Sequence, residues 1–351
     1  MAYQSPVRID LHRHLEGSHS PRALLEVAAA HGIRHPLFFD QASGRFREES
    51  ALANDLVLAA PSDDASRFYA CIVRARAAYV SVAAVQELAR RAFFEAAEET
   101  DGFEMRVSLF SMTRTLLENE RRIWREVPPS EFAERSRELL LAVLAARDVA
   151  CRDSGKPMLV RLGFSRTFES APHYRALASI VAEHAAALSG LDVLGIVTGP
   201  DREPMPPALL DILQNLRRAL PDLTVHAGEF EGHASVDRTL ALEPQGIGHG
   251  VHAVESEGTL SRLRERGVTL EVCPNSNRLL IPTALARLQA LHGAHPLVAL
   301  QRAQVHAVLG SDDPTPMGTT FAKEWDHAPE LGVDLARLEA DTARRWKQLT
   351  G

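Results

Sequence analysis

The stretch Ile9-Asp10-Leu11-His12-Arg13-His14-Leu15-Glu16-Gly17 places two histidines one residue apart at the end of an alternating run. In a strand, side chains at i and i+2 leave the same face. His12 and His14 then project together, and Arg13 points away. Two imidazoles converging from one strand are half of a first-row metal site. Other residues downstream could complete it: His226 and Glu229 in His226-Ala227-Gly228-Glu229, His249 in Ile247-Gly248-His249-Gly250, and Asp312 and Asp313 in Gly310-Ser311-Asp312-Asp313-Pro314. Taken singly, His226 or His249 reads as a hydrogen-bonded core histidine, and Asp312-Asp313-Pro314 as a turn or helix start. Taken together they offer imidazole and carboxylate ligands, with carboxylates left over for proton transfer.

Such a set works only if the chain brings it to one place. Short apolar strands are expected at residues 7–11, 103–109, 157–164, 191–197, 223–226, 246–249, 268–272 and 305–309. Helices are expected between them: 21–31, with Ser20 as N-cap, Pro21 in the first position and Gly32 as the stop; a pair over 65–100; 129–154; 173–188; 206–220; and 334–347. Strands alternating with helices imply a parallel sheet, and eight such units over 351 residues fit a (β/α)8 TIM barrel with extra helices after the first strand. The chain reads as one domain over 1–351, with a lid-like insertion at about 35–100. A barrel makes a sharp demand: catalytic residues belong at the C-terminal ends of the strands. His12 and His14 fall at the end of the first, His226 of the fifth, His249 of the sixth, and Asp312 and Asp313 of the eighth.

Composition narrows the rest. A hydrophobic share of 45% supports a large core. The net charge of −7, with no basic run, argues against nucleic acid as a partner. Cys71, Cys151 and Cys273 lie far apart and form no disulfide framework, which points to a reducing cytoplasm. No apolar run is long enough to span a membrane, and residues 1–8 hold no apolar signal region. Arginine outnumbers lysine 36 to 3, a bias that reads as genome composition.

The motifs His12-Arg13-His14-Leu15-Glu16-Gly17, His226-Ala227-Gly228-Glu229, Gly246-Ile247-Gly248-His249-Gly250, Glu271-Val272-Cys273-Pro274-Asn275-Ser276-Asn277 and Ser311-Asp312-Asp313-Pro314 stand in order and at family spacing. His295-Pro296-Leu297 and Gly318-Thr319-Thr320 accompany the last. By these residues the chain resembles the adenosine/adenine deaminase family of the amidohydrolase superfamily, from about residue 7 to about residue 327. The match is weaker over 35–160. It also departs at the fourth strand. There the family reads Gly-Ile-Asp-Leu-Ala-Gly-x-Glu and this chain has Gly195-Ile196-Val197-Thr198-Gly199-Pro200-Asp201-Arg202-Glu203.

The resemblance implies one Zn²⁺ per chain, held by His12, His14, His226 and Asp312, and hydrolytic deamination of a 6-aminopurine. It implies His249 as the group that takes a proton from the attacking water, Asp313 as the group that orients it, and Glu229 as the acid that protonates the purine ring. Glu16 and Gly199 are the expected substrate contacts, Gly199 through the shifted fourth-strand loop. Amidohydrolases with two metals bridge them by a modified lysine at the fourth strand. The lysines here, Lys156, Lys323 and Lys347, fall elsewhere, which favours one metal. The substrate stays open among adenosine, adenine and a ribose-modified adenosine such as aminodeoxyfutalosine. A reading from another class, a purine-binding barrel without catalysis, would be expected to have lost a ligand or the acid. No oligomeric state is implied. Arg106 and Arg161 read either as buried ion-pair partners or as readers of a polar substituent. Cys273 reads as a packed small side chain, and Asn275, Ser276 and Asn277 as residues ordering the loop behind the site.

Overall fold

Along the eight short runs an apolar residue alternates with a small or charged one, and in a strand that decides which way each side chain faces. The computed structural model describes residues 7–166, 170–194 and 205–351. The strands are β1 Ile9–His14, β2 Gly102–Val107, β3 Met158–Ser165, β4 Gly190–Leu194, β5 Leu223–Ala227, β6 Gly246–His249, β7 Thr269–Val272 and β8 His306–Leu309. Each pairs in parallel with the next, giving the order β1 to β8. The seam between β8 and β1 is closed by the backbone of candidate site residues. His14 N donates to Asp312 O at 2.8 Å, and Asp312 N donates to His12 O at 2.7 Å. The fold is the (β/α)8 barrel that the alternation implies. The expected first strand, 7–11, is displaced: β1 runs on through His14, so both histidines lie within the ladder and not beyond it.

Outward-facing residues such as Phe103, Met105, Val160, Leu162, Leu191, Val193, Val225 and Leu270 are buried against the surrounding helices. The alternate positions carry Glu104, Arg106, Arg161, Asp192, Thr224, His226 and Glu271, so charged groups fill the axis where branched apolar residues commonly stack. Each is paired, the condition for burying a charge at all. Arg161 Nε donates to Glu104 Oε2 at 2.8 Å and Nη2 to Asp222 Oδ1 at 2.6 Å. Arg345, from the C-terminal helix Leu335–Thr350, donates to both oxygens of Asp222 at 2.6 and 2.7 Å. Nearer the site, Arg106 pairs with Glu271 and lies 3.1 Å from Asp192. Both arginines are therefore ion-pair partners of the axis.

The helix Pro21–Ala30 starts as expected, with Ser20 Oγ accepting from Ala23 N. The helix Pro129–Ser154 has its expected bounds and stops at Gly155, whose φ of 68° is left-handed. Residues 35–100 form a hairpin of Phe39–Asp40 with Arg45–Phe46, then the helices Glu49–Leu56, Ser66–Ala75 and Val82–Glu99. One helix was not anticipated. Leu109–Asn119 follows β2 with only Ser108 between them, and buries Leu109, Phe110, Met112, Thr113, Leu116 and Leu117. No described helix is long and apolar enough to cross a membrane.

Candidate active site

The closure of the barrel assembles the centre of the site. Because β1 and β8 exchange hydrogen bonds through His12, His14 and Asp312, their side chains meet over the same end of the barrel. His12 Nε2 lies 3.3 Å from His14 Nε2, and each of these nitrogens lies 3.5 Å from Asp312 Oδ1. Ligand atoms of these three residues fall within 4.8 Å of one another, as do those of His12, His226 and His249. The His226 ring centroid is 4.8 Å from that of His12 and 5.4 Å from that of His14. Room for the rings comes from β6. A Cβ on Gly248 would stand 2.9 Å from His12 Cε1 and 3.0 Å from His226 Cγ. All seven expected metal and catalytic residues are thus placed around one point. Gly199, the expected purine contact, lies outside the described residues.

The electrostatics of three of the four imidazoles fit a first-row cation, and His12 is the exception. A histidine ligand must be neutral, and burial holds His14, His226 and His249 below the usual imidazole range. Burial and Arg106 also act to lower His12, but its hydrogen bonds to Asp312 and Glu271 outweigh them. Burial acts to raise Asp312, yet its hydrogen bond to His12 and the nearby imidazoles keep it ionised. Three imidazoles and one carboxylate suit Zn²⁺ with a position left for water.

Residues beyond this set fix the ring orientations. His12 Nδ1 lies 3.2 Å from Glu271 Oε2 and His226 Nδ1 lies 3.1 Å from Asp192 Oδ1, so the opposite nitrogen of each ring faces the cluster. Asp10 Oδ1 accepts from His12 N at 3.1 Å and from Ser311 N at 3.3 Å, tying β1 to the Asp312 loop. Asp10, Asp192 and Glu271 were given no role from the sequence. Asp192 and Glu271 each stand as a lone acid at an inward position of its strand, a signal the sequence does carry.

His249 and Asp312 have φ of 61°, which is left-handed and strained for residues with a Cβ. Strain of this kind persists only where the surroundings enforce it. Here hydrogen bonds to the β1 backbone at His12 and His14 enforce it for Asp312, and the turn through Gly250 for His249. His249 Nε2 lies 3.5 Å from Glu229 Oε2 and 4.0 Å from Asp312 Oδ2. On its other side Asn277 Nδ2 lies 3.3 Å from His249 Nδ1, while Asn277 Oδ1 is buried with no partner. The Nδ1 side of the ring is thus taken up by Asn277, and Nε2 is the nitrogen that faces Glu229 and Asp312. Glu229 is delivered by the left-handed turn at Gly228, φ 63°. Asp313 is pushed well above the carboxylate range by burial and by the charge of Asp312. Cys273 is buried, and burial raises its thiol well above the usual range, so it is packing and not a nucleophile.

These groups open on a cavity of about 340 Å³ lined by His14, Glu16, His226, Glu229, His249, Asp312 and Asp313, with Phe68, Ile72, Phe110 and Leu280 on its apolar sides. That is the size and character of a small-molecule site. Glu16 is buried, and its Oε1 accepts from Ser108 N at 3.0 Å, so it joins the loops after β1 and β2. Gly17 leaves the space for Asp313: a Cβ there would stand 1.9 Å from Asp313 Oδ1. Gly17→Ala is therefore expected to displace the Asp313 carboxylate while leaving every imidazole in place. Turnover should fall by about 10²-fold, the scale of a catalytic group misplaced by an ångström. Elemental analysis should find its metal content unchanged; parent-like turnover would show that Asp313 does not need this position.

The family profile described as adenosine deaminase matches residues 7–344. A Streptomyces coelicolor protein bearing the provisional name adenosine/adenine deaminase is 31% identical over 345 residues, 95% of this chain and 90% of its own. An adenine deaminase of Chelativorans sp. is 38% identical over 129 residues, 36% of this chain and 38% of that protein. Among solved structures, adenine deaminase from Arthrobacter aurescens superposes with a TM-score of 0.74 at 19% identity, covering 99% of this chain and 98% of that one. An amidohydrolase crystallised with bound Zn gives a TM-score of 0.68 at 16% identity, over 95% and 82% of the two chains.

Proposed function

The chain belongs to the adenosine deaminase family, and on that premise we propose that it hydrolyses the 6-amino group of a purine nucleoside with one Zn²⁺ per chain. It is a hydrolase of the aminopurine-deaminating kind; the nucleoside, the zinc and the residue roles are our reading. The observation that carries it is the meeting of His12, His14 and Asp312 within 4.8 Å, at a cavity that His14, Asp312, Glu229 and His249 line together. A bare purine-binding barrel would have no use for a strained His249 and Asp312 or for a spare acid.

His12, His14, His226 and Asp312 would hold the ion, whose chemistry when bound is to make water acidic enough to react near neutral pH. His249 Nε2 takes the proton of the attacking water, and Asp313 holds that water on line by a hydrogen bond. Glu229 gives a proton to the purine ring nitrogen next to C6, so that carbon accepts the new C–O bond without an unstabilised anion on the ring. The C–N bond then breaks as the amine takes the proton held by His249 and leaves as ammonia; the C6 hydroxyl proton returns to Glu229, and the 6-oxopurine remains. Glu16 stands at the cavity wall as the substrate contact.

A panel of 6-aminopurines and their nucleosides, followed by ammonia release and ultraviolet absorbance, tests this reading. The protein purified without chelator should carry about one Zn²⁺ per chain, and a chelator should remove metal and activity together. Two equivalents of metal would overturn the single-ion site. A zinc-replete protein releasing no ammonia from any member of the panel would overturn the reaction.

A further inference from the structure

Arg76 is a largely buried cation that the reaction above does not use. It follows the helix Ser66–Ala75 and opens the short turn Arg76–Ala78. The turn is pinned from behind, because Asn119 Nδ2 donates to Arg76 O at 3.2 Å and to Tyr79 O at 3.1 Å. The side chain is only 12% exposed and lines the same cavity as the metal-binding cluster. Its nearest acid is Glu16, with Oε1 3.9 Å from Nη2, and that oxygen is already engaged by Ser108 N. Among the described residues no acceptor lies within hydrogen-bond reach of the guanidinium, and Nε is buried without a partner. A guanidinium carries five N–H donors in a fixed fork and keeps its charge at any working pH. Holding one in a cavity wall with its donors unfilled leaves a large desolvation cost uncompensated in the free protein.

The neighbouring wall has the same character. Ser111 lies in the first turn of the helix Leu109–Asn119, where the backbone favours negative charge. Its Oγ accepts from Ser108 Oγ at 2.9 Å, so its own hydroxyl proton is available to a ligand. Ser108, Ser111 and Arg114 all line the cavity. Arg76 and Ser111 therefore share one cavity with the carboxylates of Glu16, Glu229, Asp312 and Asp313, and Ser111 is the hydroxyl whose proton is uncommitted. The group that fits such donors is an oxyacid anion, which a guanidinium fork binds in two-point fashion.

We propose that Arg76, with Ser111 beside it, forms an anion subsite, and that the preferred substrate is a 6-aminopurine nucleoside carrying a carboxylate or phosphate on its sugar end. This rests on the deaminase reading above and names the substrate class within it. Among the described residues the ion-pair partner of Arg76 is Glu16 and not His14, His249 or Asp312, so it acts on binding and selection and not on the reacting atoms.

The test is a comparison of kcat/KM for adenosine, its 5′-phosphate and its 5′-carboxylate, using the zinc-loaded parent, Arg76→Gln and Arg76→Lys. At least one of the anionic nucleosides should exceed adenosine by about tenfold or more, the size of a charge-assisted hydrogen bond. The two anionic arms decide between phosphate and carboxylate. In Arg76→Gln the anion-to-adenosine ratio should fall by about tenfold, mainly through KM, and Arg76→Lys should restore part of it by returning the charge without the fork. Since the ratio is read within one protein, partial misfolding of a variant cancels from it. A parent ratio near one, or a ratio that Arg76→Gln does not change, overturns the subsite while leaving the deaminase reading intact. Absence of ammonia release from all three nucleosides would overturn the deaminase reading itself.

Discussion

The Glu229→Gln protein should fold, bind metal like the parent and lose about 10²–10⁴-fold in turnover, the range for a lost general acid. Three observations set this expectation. Glu229 lies in the cavity wall, its Oε2 is 3.5 Å from His249 Nε2, and it is absent from all three tight ligand groupings among the described residues. Glutamine has nearly the same shape and can still donate a hydrogen bond to a ring nitrogen, so substrate should bind with a modest change in KM. What the amide cannot do is transfer a proton, and without that proton C6 stays a poor electrophile. The loss should therefore appear in kcat. It should also remove any limb of the pH–rate profile that reports a protonated acid, leaving limbs that report His249 or the ligands. Metal analysis beside steady-state kinetics separates the cases. A zinc-replete Glu229→Gln protein working near the parent rate would assign the ring proton to another group, and a zinc-depleted one would make Glu229 part of the metal site.

The site was legible because its chemistry needs rare residue types at strand ends, and the barrel fixes where strand ends are. His12 and His14 could be read from a spacing of two, and Asp312 and Asp313 from a position after the last apolar run. Position within the strand was less legible. β1 extends through His14 because the polar residues Asp10, His12 and His14 alternate with Leu11 and Arg13, a period that an apolar run alone does not reveal. The helix Leu109–Asn119 escaped notice for a related reason. Its apolar residues continue directly from β2 with no glycine or proline between, so strand and helix merge into one hydrophobic stretch, although Leu109, Phe110, Met112, Thr113, Leu116 and Leu117 carry the helical spacing. Asp192, Glu271 and Asp10 belong to no spacing rule. Asp192 and Glu271 stand out in the sequence only as lone acids in apolar strands, and it is barrel closure that brings them within 3.2 Å of the His226 and His12 rings they orient.

The same closure makes Arg106 the position where a single change should cost the fold most. Its side chain is fully buried, it pairs with Glu271, and its Nη1 lies 3.1 Å from Asp192 Oδ2 and 2.7 Å from His12 Nδ1. Arg106→Met keeps the unbranched stem and removes the charge, leaving two buried carboxylates facing each other. Breaking a buried pair in this way costs about 3–5 kcal/mol. The lower end is expected, because Glu271 keeps Thr224 Oγ1 at 3.3 Å and Asp192 keeps His226. Urea unfolding with chelator present in both proteins, so that metal linkage does not enter, should show a lower midpoint at unchanged slope. The pH dependence has a definite sign. Burial acts to raise Glu271 and Asp192, yet Arg106 and their histidine partners hold both below the carboxylate range. The parent's stability from these groups is therefore present above the unfolded carboxylate values, about 4, and is lost as pH falls through the depressed folded values. Arg106→Met has less of it to lose, so the gap between the two proteins should be widest near neutrality and close as the pH drops. Adding Glu271→Gln to Arg106→Met should recover part of the deficit, since it removes one of the stranded charges. A gap below about 1 kcal/mol at neutral pH, or one that widens in acid, would mean that the axis is held by packing and not by its alternating charges.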